Sequence, residues 1–179
     1  MAGDATKVKV WDSGDVLIFD PAVTLVPATH HPASIAAAWA VQWRYFGLML
    51  GDPGMDYGRA FEEKSVSAWK YGKVKKRRRD FALTVKFSLL EDNAIVDEVL
   101  DPGSSATDIV VPKVARRFIA FQTVADDGTG ERRISRVKAD IWIPNDFKKE
   151  DPAAREVECD IYPDTNGSLF VRQIGTPVG

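Results

Sequence analysis

The side chains that most often carry out catalysis are few in this sequence, and they do not cluster along it. His30 and His31 are the only two histidines, and adjacent residues of an extended chain point to opposite faces, which makes them a poor pair of metal ligands. Cys159 is the only cysteine and alternates with apolar residues, a pattern typical of a buried structural thiol. Neither set predicts a catalytic centre, since no further histidine is present to complete a triad.

Two other patterns, which are associated with ion and phosphate binding, are incomplete. Asp126, Asp127 and Glu131 form a small acidic cluster, but their spacing does not match the twelve-residue loop that supplies calcium ligands. The glycines are scattered at turns and form neither GxGxxG nor GxxxxGKS/T, the loops that cradle phosphate groups. The sequence therefore predicts a chain that is not an enzyme and has neither a metal site nor a cofactor.

A dense run of basic residues, KVKKRRR at 73–79, is the strongest charge feature of the chain. It can be interpreted as a nucleic-acid or nuclear-localisation patch, as a solvated strand end, or as a projecting strand that binds an adjacent subunit. We favour the third interpretation, because the planar and weakly hydrated guanidinium group suits ion pairs at interfaces. The candidate subunit interface comprises Trp69, Lys75, Arg77, Arg78 and Arg79. A complementary acidic stripe within the assembly is predicted at Glu156, Glu158 and Asp160.

The basic run leads without a break into the best-defined element of the chain. Apolar residues recur at every second position, which predicts a strand with one buried face: Phe81, Leu83, Val85, Phe87 and Leu89. Continued backwards, the same parity carries Lys73, Lys75, Arg77 and Arg79. One strand over 73–90 would be roughly 60 Å long at about 3.3 Å per residue, whereas a domain of this size has a radius of gyration on the order of 16 Å. We therefore expect the basic half to project past the core.

The remaining patterns predict mostly short strands. Alternating or β-branched runs indicate strands at 8–11, 16–19, 59–67, 114–125, 132–143, 155–162 and 169–174. The sequence DDGTG at 126–130 predicts a hairpin turn. An alanine-rich stretch predicts a helix over 33–41, and a second helix is predicted after a cap at Asp92 or Asn93. These elements predict a mainly β (α+β) fold, an antiparallel β-sandwich or barrel with one or two short flanking helices.

The composition restricts the class of protein. A chain of 179 residues is long enough for one domain with a hydrophobic core, and we expect an extended N-terminal arm over 1–30 and a C-terminal tail over 175–179. The net charge of −2 gives no support to general nucleic-acid binding, which usually requires a basic protein. The N-terminal sequence has no apolar signal core, and no apolar run reaches the roughly 18 residues of a membrane helix. We expect a soluble protein that folds in a cytoplasm and does not bind a membrane.

Several of these segments together resemble the major tail proteins of long-tailed bacteriophages, which are the subunits of the tail tube. The stretch AWKYGKVKKRRRDFALTVKFSLLEDN at 68–93 resembles the family's Trp-containing turn, followed by a long strand that closes on a Leu-Leu-Glu signature. Upstream, Trp43 and the YFGL step at 45–48 resemble the family's Trp…Leu-Gly-Tyr entry. Downstream, the alternating strand that ends in YPD at 162–164 is similar to the family's C-terminal half.

The resemblance implies a β-sandwich or barrel with a flanking helix, similar also to the tube protein of type VI secretion. It implies a structural virion protein without catalytic activity: six copies form a ring, and stacked rings form the hollow tube through which the genome is ejected. It further implies contacts with the tape measure, tail-tip and terminator proteins, and DNA that passes through the lumen without specific binding. The implied location is the tail of the virion, after assembly in the host cytoplasm.

Two hypotheses follow for the charged segments. In a tube, Glu156, Glu158 and Asp160 would line the lumen, where negative charge lets DNA phosphates slide without sticking, the converse of the attraction that a basic channel exerts. The alternative to a tube subunit is a nucleic-acid-binding β-domain that uses the basic run at 73–79 together with Trp69 and Tyr71.

Overall fold

A computed structural model describes residues 9–52, 54–91, 93–105, 107–108, 110–111, 113–144 and 154–177. Within these ranges, the backbone but not the side chain is described at residues 68, 73, 77–79 and 100. The described part of the chain is mostly β, with 48% strand and 7% helix, as the alternating sequence patterns predict.

Strands follow one another along most of the described chain, joined by short loops. The strands are β1 (Trp11–Phe19), β2 (Trp43–Tyr45), β3 (Asp56–Ala68), β4 (Gly72–Leu89), β5 (Ala115–Arg117), β6 (Ile119–Ala125), β7 (Gly130–Ser135), β8 (Ala139–Trp142), β9 (Arg155–Ile161) and β10 (Phe170–Gly175). The helices are α1 (Pro27–His30), between β1 and β2, and α2 (Ala94–Leu100), between β4 and β5.

The strands form two antiparallel sheets of five strands each. The first sheet has the order β10-β7-β6-β1-β2, and the second has the order β3-β4-β9-β8-β5. Within the described ranges the two sheets share no strand, so the fold is the sandwich of the two predicted alternatives rather than the barrel. The predicted fold class, mainly β with short flanking helices, is confirmed.

The main core lies between the two sheets. Every second side chain of the paired strands β4 and β9 points into it. The buried side chains of these two strands are Leu83, Val85, Phe87, Leu89, Val157, Cys159 and Ile161. Phe121 of β6 meets them from the opposite sheet, with its ring centre 6.2 Å from that of Phe87. Helix α2 closes one end of this core through Val96 and Val99, and Asn93 caps the helix by accepting hydrogen bonds from the backbone N–H groups of residues 95 and 96.

The second half of strand β1 is buried on both faces, which corrects the predicted N-terminal arm. It pairs with β2 and β6 inside the first sheet, and residues 16–19 are all buried. Val16 and Ile18 belong to the core between the sheets, whereas Leu17 and Phe19 pack under a second apolar layer that includes Leu25. Residues 11–30 are therefore part of the body of the domain, while residues 1–8 lie outside the described ranges.

The helix predicted over 33–41 is wrong, since this segment forms turns and loop. Arg132, a buried side chain of β7, donates hydrogen bonds from Nη1 to the carbonyl oxygens of Ser34 and Ala37, at 3.1 and 3.2 Å. Its guanidinium group also lies 4.1 Å from the ring centre of Trp39. The backbone acceptors of the alanine-rich stretch are thus used by the sheet beneath it instead of by a helix.

The two long strands predicted on either side of the DDGTG turn each divide into two. The turn itself is present, and Gly128 adopts the positive φ of 75° that a hairpin turn requires. The predicted strand 114–125 becomes β5 and β6, and 132–143 becomes β7 and β8. Strands β6 and β7 pair in the first sheet, whereas β5 and β8 pair in the second. The hairpin therefore passes from one sheet to the other, as strands do at the corners of a sandwich.

Candidate functional site: a projecting ribbon, an acidic sheet face and a groove

The hairpin of β3 and β4 extends beyond the sheet to which it belongs. Strand β4 has 18 residues; β3 pairs with it over residues 72–86, whereas β9 pairs only with residues 83–89. We call residues 62–79 the ribbon, because they form a two-stranded ladder that meets no third strand in the described chain, and we call the other described residues the body. The seven residue pairs of the ribbon extend roughly 23 Å past the body at about 3.3 Å per residue. The predicted projection of the basic half is confirmed.

The alternation of β4 does not continue unchanged into the ribbon. The register of β3 and β4 shifts by one residue at Asp80, which is left unpaired as a bulge with a φ of 52°. A bulge of this kind reverses the parity of the strand, so Lys76, rather than Lys75, continues the face of Phe81. The unbroken parity predicted for 73–89 is therefore wrong.

The end of the ribbon carries a group of exposed apolar side chains. Ala68 pairs with Gly72, and the loop between them turns with positive φ angles at Lys70 (71°) and Gly72 (69°). Trp69 is 96% exposed and Tyr71 is 83% exposed. We call the exposed apolar residues of the ribbon the tip: Val66, Trp69, Tyr71 and Val74. Large apolar side chains gathered on a surface typically mark an interaction site.

The ribbon and the remainder of the chain carry opposite net charge. Residues 62–79 contain eight basic and two acidic residues, a net charge of +6, which leaves −8 for the rest of a chain whose total is −2. Lys75 is exposed, as an interface residue must be before assembly. Of the predicted interface, the side chains of Trp69 and Lys75 are described, whereas those of Arg77, Arg78 and Arg79 lie outside the described part of the structure.

The acidic stripe predicted on β9 lies on the outer face of the second sheet. Glu156 is exposed, and Glu158 and Asp160 are partly buried beside β4. Glu158 forms an ion pair with Lys86 and raises the pKa of that lysine. Asp160 accepts a hydrogen bond from Thr84 Oγ1 at 2.8 Å. The stripe is therefore accessible at Glu156 and partly neutralised at Glu158.

A groove opens between the two sheets, where β1 and the residues after β2 approach the start of β3. Its main cavity has a volume of about 650 Å³, and a second depression of about 500 Å³ shares Asp15 and Leu48 with it. We call the two together the groove. Its exposed apolar side chains are Trp11, Tyr45 and Leu48. No sequence pattern predicts this site, because its walls come from segments that are far apart along the chain.

The groove also contains a polar network around Glu131. Glu131 Oε1 accepts hydrogen bonds from Arg133 Nε and Arg172 Nε, both at 2.7 Å. Burial alone raises the pKa of Glu131, but the two guanidinium groups outweigh it and lower that pKa. Arg133 lies 4.6 Å from the ring centre of Tyr57, and burial is the main cause that raises the pKa of Tyr57 to about 12. These groups are not poised to exchange protons near neutral pH.

The histidines and the cysteine singled out in the sequence are packed within the body. His30 Nδ1 accepts a hydrogen bond from the Val26 N–H at 2.9 Å, and its ring centre lies 5.2 Å from that of Phe19. Cys159 is fully buried, as predicted, and burial raises the pKa of its thiol. Among the described residues, no group of three or more histidine, cysteine, aspartate or glutamate side chains is arranged to hold a metal ion.

Comparison with known proteins adds no assignment: no protein-family model matches this chain, and no curated protein matches its sequence. Across the ranges that the structure describes, no helix has the length and apolar character needed to cross a membrane. The function must therefore be argued from the ribbon, the acidic face and the groove.

Proposed function

We propose that this chain is a structural subunit that assembles with copies of itself into stacked six-membered rings, and that these form the tail tube of a bacteriophage. The observation that carries the proposal is the ribbon: half of an 18-residue strand lies beside β3 alone and meets no third strand in the described chain. The resemblance of residues 68–93 to tail tube subunits, and the two-sheet fold expected of that family, support it further. The work of such a protein is assembly and conduction of the genome rather than catalysis.

A projecting ribbon suits this kind of assembly. Ring closure and ring stacking each require a contact between two different surfaces of the subunit, repeated by every copy. An exposed strand edge can supply such a contact by adding to a neighbouring sheet. An unpaired edge is otherwise an aggregation hazard, and its dense positive charge would keep the free subunit soluble.

The outer face of the second sheet is the proposed lining of the lumen. Glu156, Glu158 and Asp160 lie on this face, and carboxylates along a conduit repel DNA phosphates instead of binding them. Lys86 offsets part of this charge at Glu158. Changing the three acidic residues to lysine should slow genome passage from assembled particles. A normal ejection rate would contradict the assignment of this face to the lumen.

The test of assembly is negative-stain electron microscopy of the concentrated pure protein, in which we expect hollow tubes or six-fold rings. Replacing Arg77, Arg78 and Arg79 with serine should leave a folded monomer that polymerises poorly. The matched control replaces three exposed basic residues of the body with serine: Lys113, Arg136 and Lys138. Equal tube yield from both triple variants would contradict an interface role for the ribbon.

A nucleic-acid-binding domain is the second candidate, and one observation favours it. The ribbon places exposed Trp69 and Tyr71 beside dense positive charge, and aromatic rings of this kind stack on single-stranded bases, while a two-stranded ribbon fits the major groove of duplex DNA. The remaining −8 of net charge would oppose such binding. Titration with single-stranded and duplex DNA at several salt concentrations separates the two candidates, since only a DNA-binding protein would give a salt-dependent affinity.

A further inference from the structure

We infer that the tip of the ribbon of one copy binds in the groove of a second copy of this chain. The inference rests on the proposed function only in that the chain must associate with itself. It names the surface that receives the ribbon, and it makes the contact head-to-tail: the tip belongs to one subunit and the groove to the next.

The tip is an apolar group on a basic carrier. Trp69 and Tyr71 are 96% and 83% exposed, and side chains of this type bury about 150–250 Å² each at interfaces. The ribbon behind them carries a net charge of +6. Its binding site should therefore combine apolar walls with a surplus of carboxylates.

The groove has both properties. Trp11, Tyr45 and Leu48 are 50%, 56% and 65% exposed along it, which leaves an apolar surface without a cover in the described chain. Its cavities, of about 650 and 500 Å³, fall within the range of about 300–1,000 Å³ that holds ligand-sized groups. Cavities of this size have room for an indole ring and a phenol ring.

The charge of the groove complements that of the ribbon. Its described lining includes the carboxylates of Asp12, Asp15, Glu91 and Glu131. Arg133 is the one basic side chain among the described lining residues, and Glu131 already binds it. Asp15 is partly buried, and this burial raises its pKa. A lysine or arginine of an incoming ribbon would supply a cation to pair with it.

A tip cannot reach the groove of its own chain. Met55 lines the groove and directly precedes β3, which then runs for 13 residues to Ala68 at the base of the tip. A strand of that length separates the two sites by about 40 Å at roughly 3.3 Å per residue. The ribbon stays paired over residues 62–68 and 72–79 apart from one bulged residue, Val74, so between the body and the tip it contains no loop at which it could fold back, and a second copy is the occupant that we infer. Such a contact between unlike surfaces repeats without closing as a two-fold dimer, and it yields rings or filaments.

The experiment uses two variants of the full chain that each lose one side of the contact. The tip variant carries Trp69→Ala and Tyr71→Ala, and the groove variant carries Asp12→Lys and Leu48→Lys, all at exposed positions where folding should be unaffected. The control variant carries Val41→Ala and Val111→Ala, which are 89% and 83% exposed and lie outside both surfaces.

Sedimentation velocity of the separate and mixed variants gives the answer. We expect each of the first two variants alone to self-associate more than about tenfold more weakly than the wild type, as loss of an interface hot spot does, and the control to match the wild type. An equimolar mixture of the tip and groove variants should form a 1:1 complex, since one intact tip and one intact groove remain in each pair. A mixture that associates no better than its components would overturn the inference.

Other outcomes separate this inference from the proposed function. Tubes of normal yield from the tip variant would refute the inference and leave the tube function standing. A 1:1 complex in the mixture, together with a wild type that forms neither rings nor tubes, would support the inference and refute the tube function. A groove variant that self-associates like the wild type would mean that the groove takes some other ligand. A wild type that stays monomeric up to about 1 mM would exclude even the weakest specific contact and overturn the inference.

Discussion

The two halves of β4 form one continuous strand in opposite surroundings. Residues 83–89 pair with β9, residues 83–86 also pair with β3 on the other side, and every second side chain is buried in the core. Residues 72–80 lie beside β3 alone, and each of their described side chains is exposed. Backbone hydrogen bonds run through both halves, so they do not account for the difference. What distinguishes the halves is apolar burial, which contributes about 25 cal/mol for each Å² removed from water.

The ribbon half must therefore be stabilised by local terms and by its attachment to the body. Cross-strand pairs contribute about 0.2–1 kcal/mol each, and an isolated two-stranded hairpin is marginal in water. Phe61 and Phe81 mark the base of the ribbon, with ring centres 5.1 Å apart. The body fixes the fold, whereas the ribbon offers hydrogen-bond donors, acceptors and apolar surface that the fold does not use.

The largest difference should come from aromatic residues on the same strand pair. Phe87 is 2% exposed, and Phe87→Ala should lower the free energy of unfolding by about 3–5 kcal/mol, because it leaves a cavity in the core. Tyr71 is 83% exposed, and Tyr71→Ala should change it by less than about 0.5 kcal/mol. Urea denaturation of the two variants measures both values. Comparable losses would mean that the ribbon packs against the body.

Basic residues should differ by less. Arg132 is 3% exposed and its guanidinium group holds the loop at 33–41 through hydrogen bonds from a charged donor, each contributing about 1.5–3 kcal/mol. Arg132→Met should therefore destabilise the chain by at least that amount, whereas Lys64→Met on the exposed ribbon should stay within about 0.5 kcal/mol. Urea denaturation again provides the comparison. A small effect at Arg132 would show that the loop is held by its apolar contacts alone.

Acidic residues should give a smaller difference that depends on pH. The pKa of Glu131 is lowered in the folded chain, so its stabilising contribution is complete above the unfolded pKa of about 4.3 and is lost as the pH falls through the folded pKa. Glu131→Gln should cost about 1–2 kcal/mol at pH 7, and the cost should shrink on acidification below about pH 4. Glu62→Gln, at an exposed ribbon position, serves as the control. A cost that stays constant from pH 7 to pH 3 would rule out the ion pairs with Arg133 and Arg172 as its cause.

How far the sequence predicts the molecule depends on whether a feature is local or tertiary. The period of two at 81–89 and the basic run at 73–79 belong to neighbouring residues, so the strand, its buried face and its projection follow from the sequence. The bulge at Asp80 does not follow, because an aspartate in a strand has no pattern that marks a one-residue shift. The helix predicted over 33–41 is wrong because Arg132, almost a hundred residues away, binds its carbonyl groups.

The candidate site divides in the same way. The basic run of the ribbon and the acidic stripe at Glu156, Glu158 and Asp160 each lie within a single strand. The alternation of apolar and charged residues in β9 correctly predicts that the stripe lies on the face opposite the core. The groove has no such signal, since Asp15, Leu48 and Glu91 meet only after the two sheets pack together. The division of 114–125 into β5 and β6 is also tertiary: both halves have strand patterns, but the packed sheets decide where the chain passes between them.

The smallest effect on stability should come from the largest change to the chain, removal of the whole ribbon. Phe61 and Phe81 are directly paired, so replacing residues 62–80 with Asn-Gly would join them through a two-residue hairpin turn whose twist suits the flanking strands. Because every described side chain removed is exposed, the free energy of unfolding should change by less than about 1 kcal/mol. The shortened chain should remain monomeric at concentrations where the full chain assembles. Urea denaturation and sedimentation velocity test the two halves of this prediction separately. An unfolded product would show that the ribbon stabilises the body, and a product that still assembles would show that copies bind through the body alone.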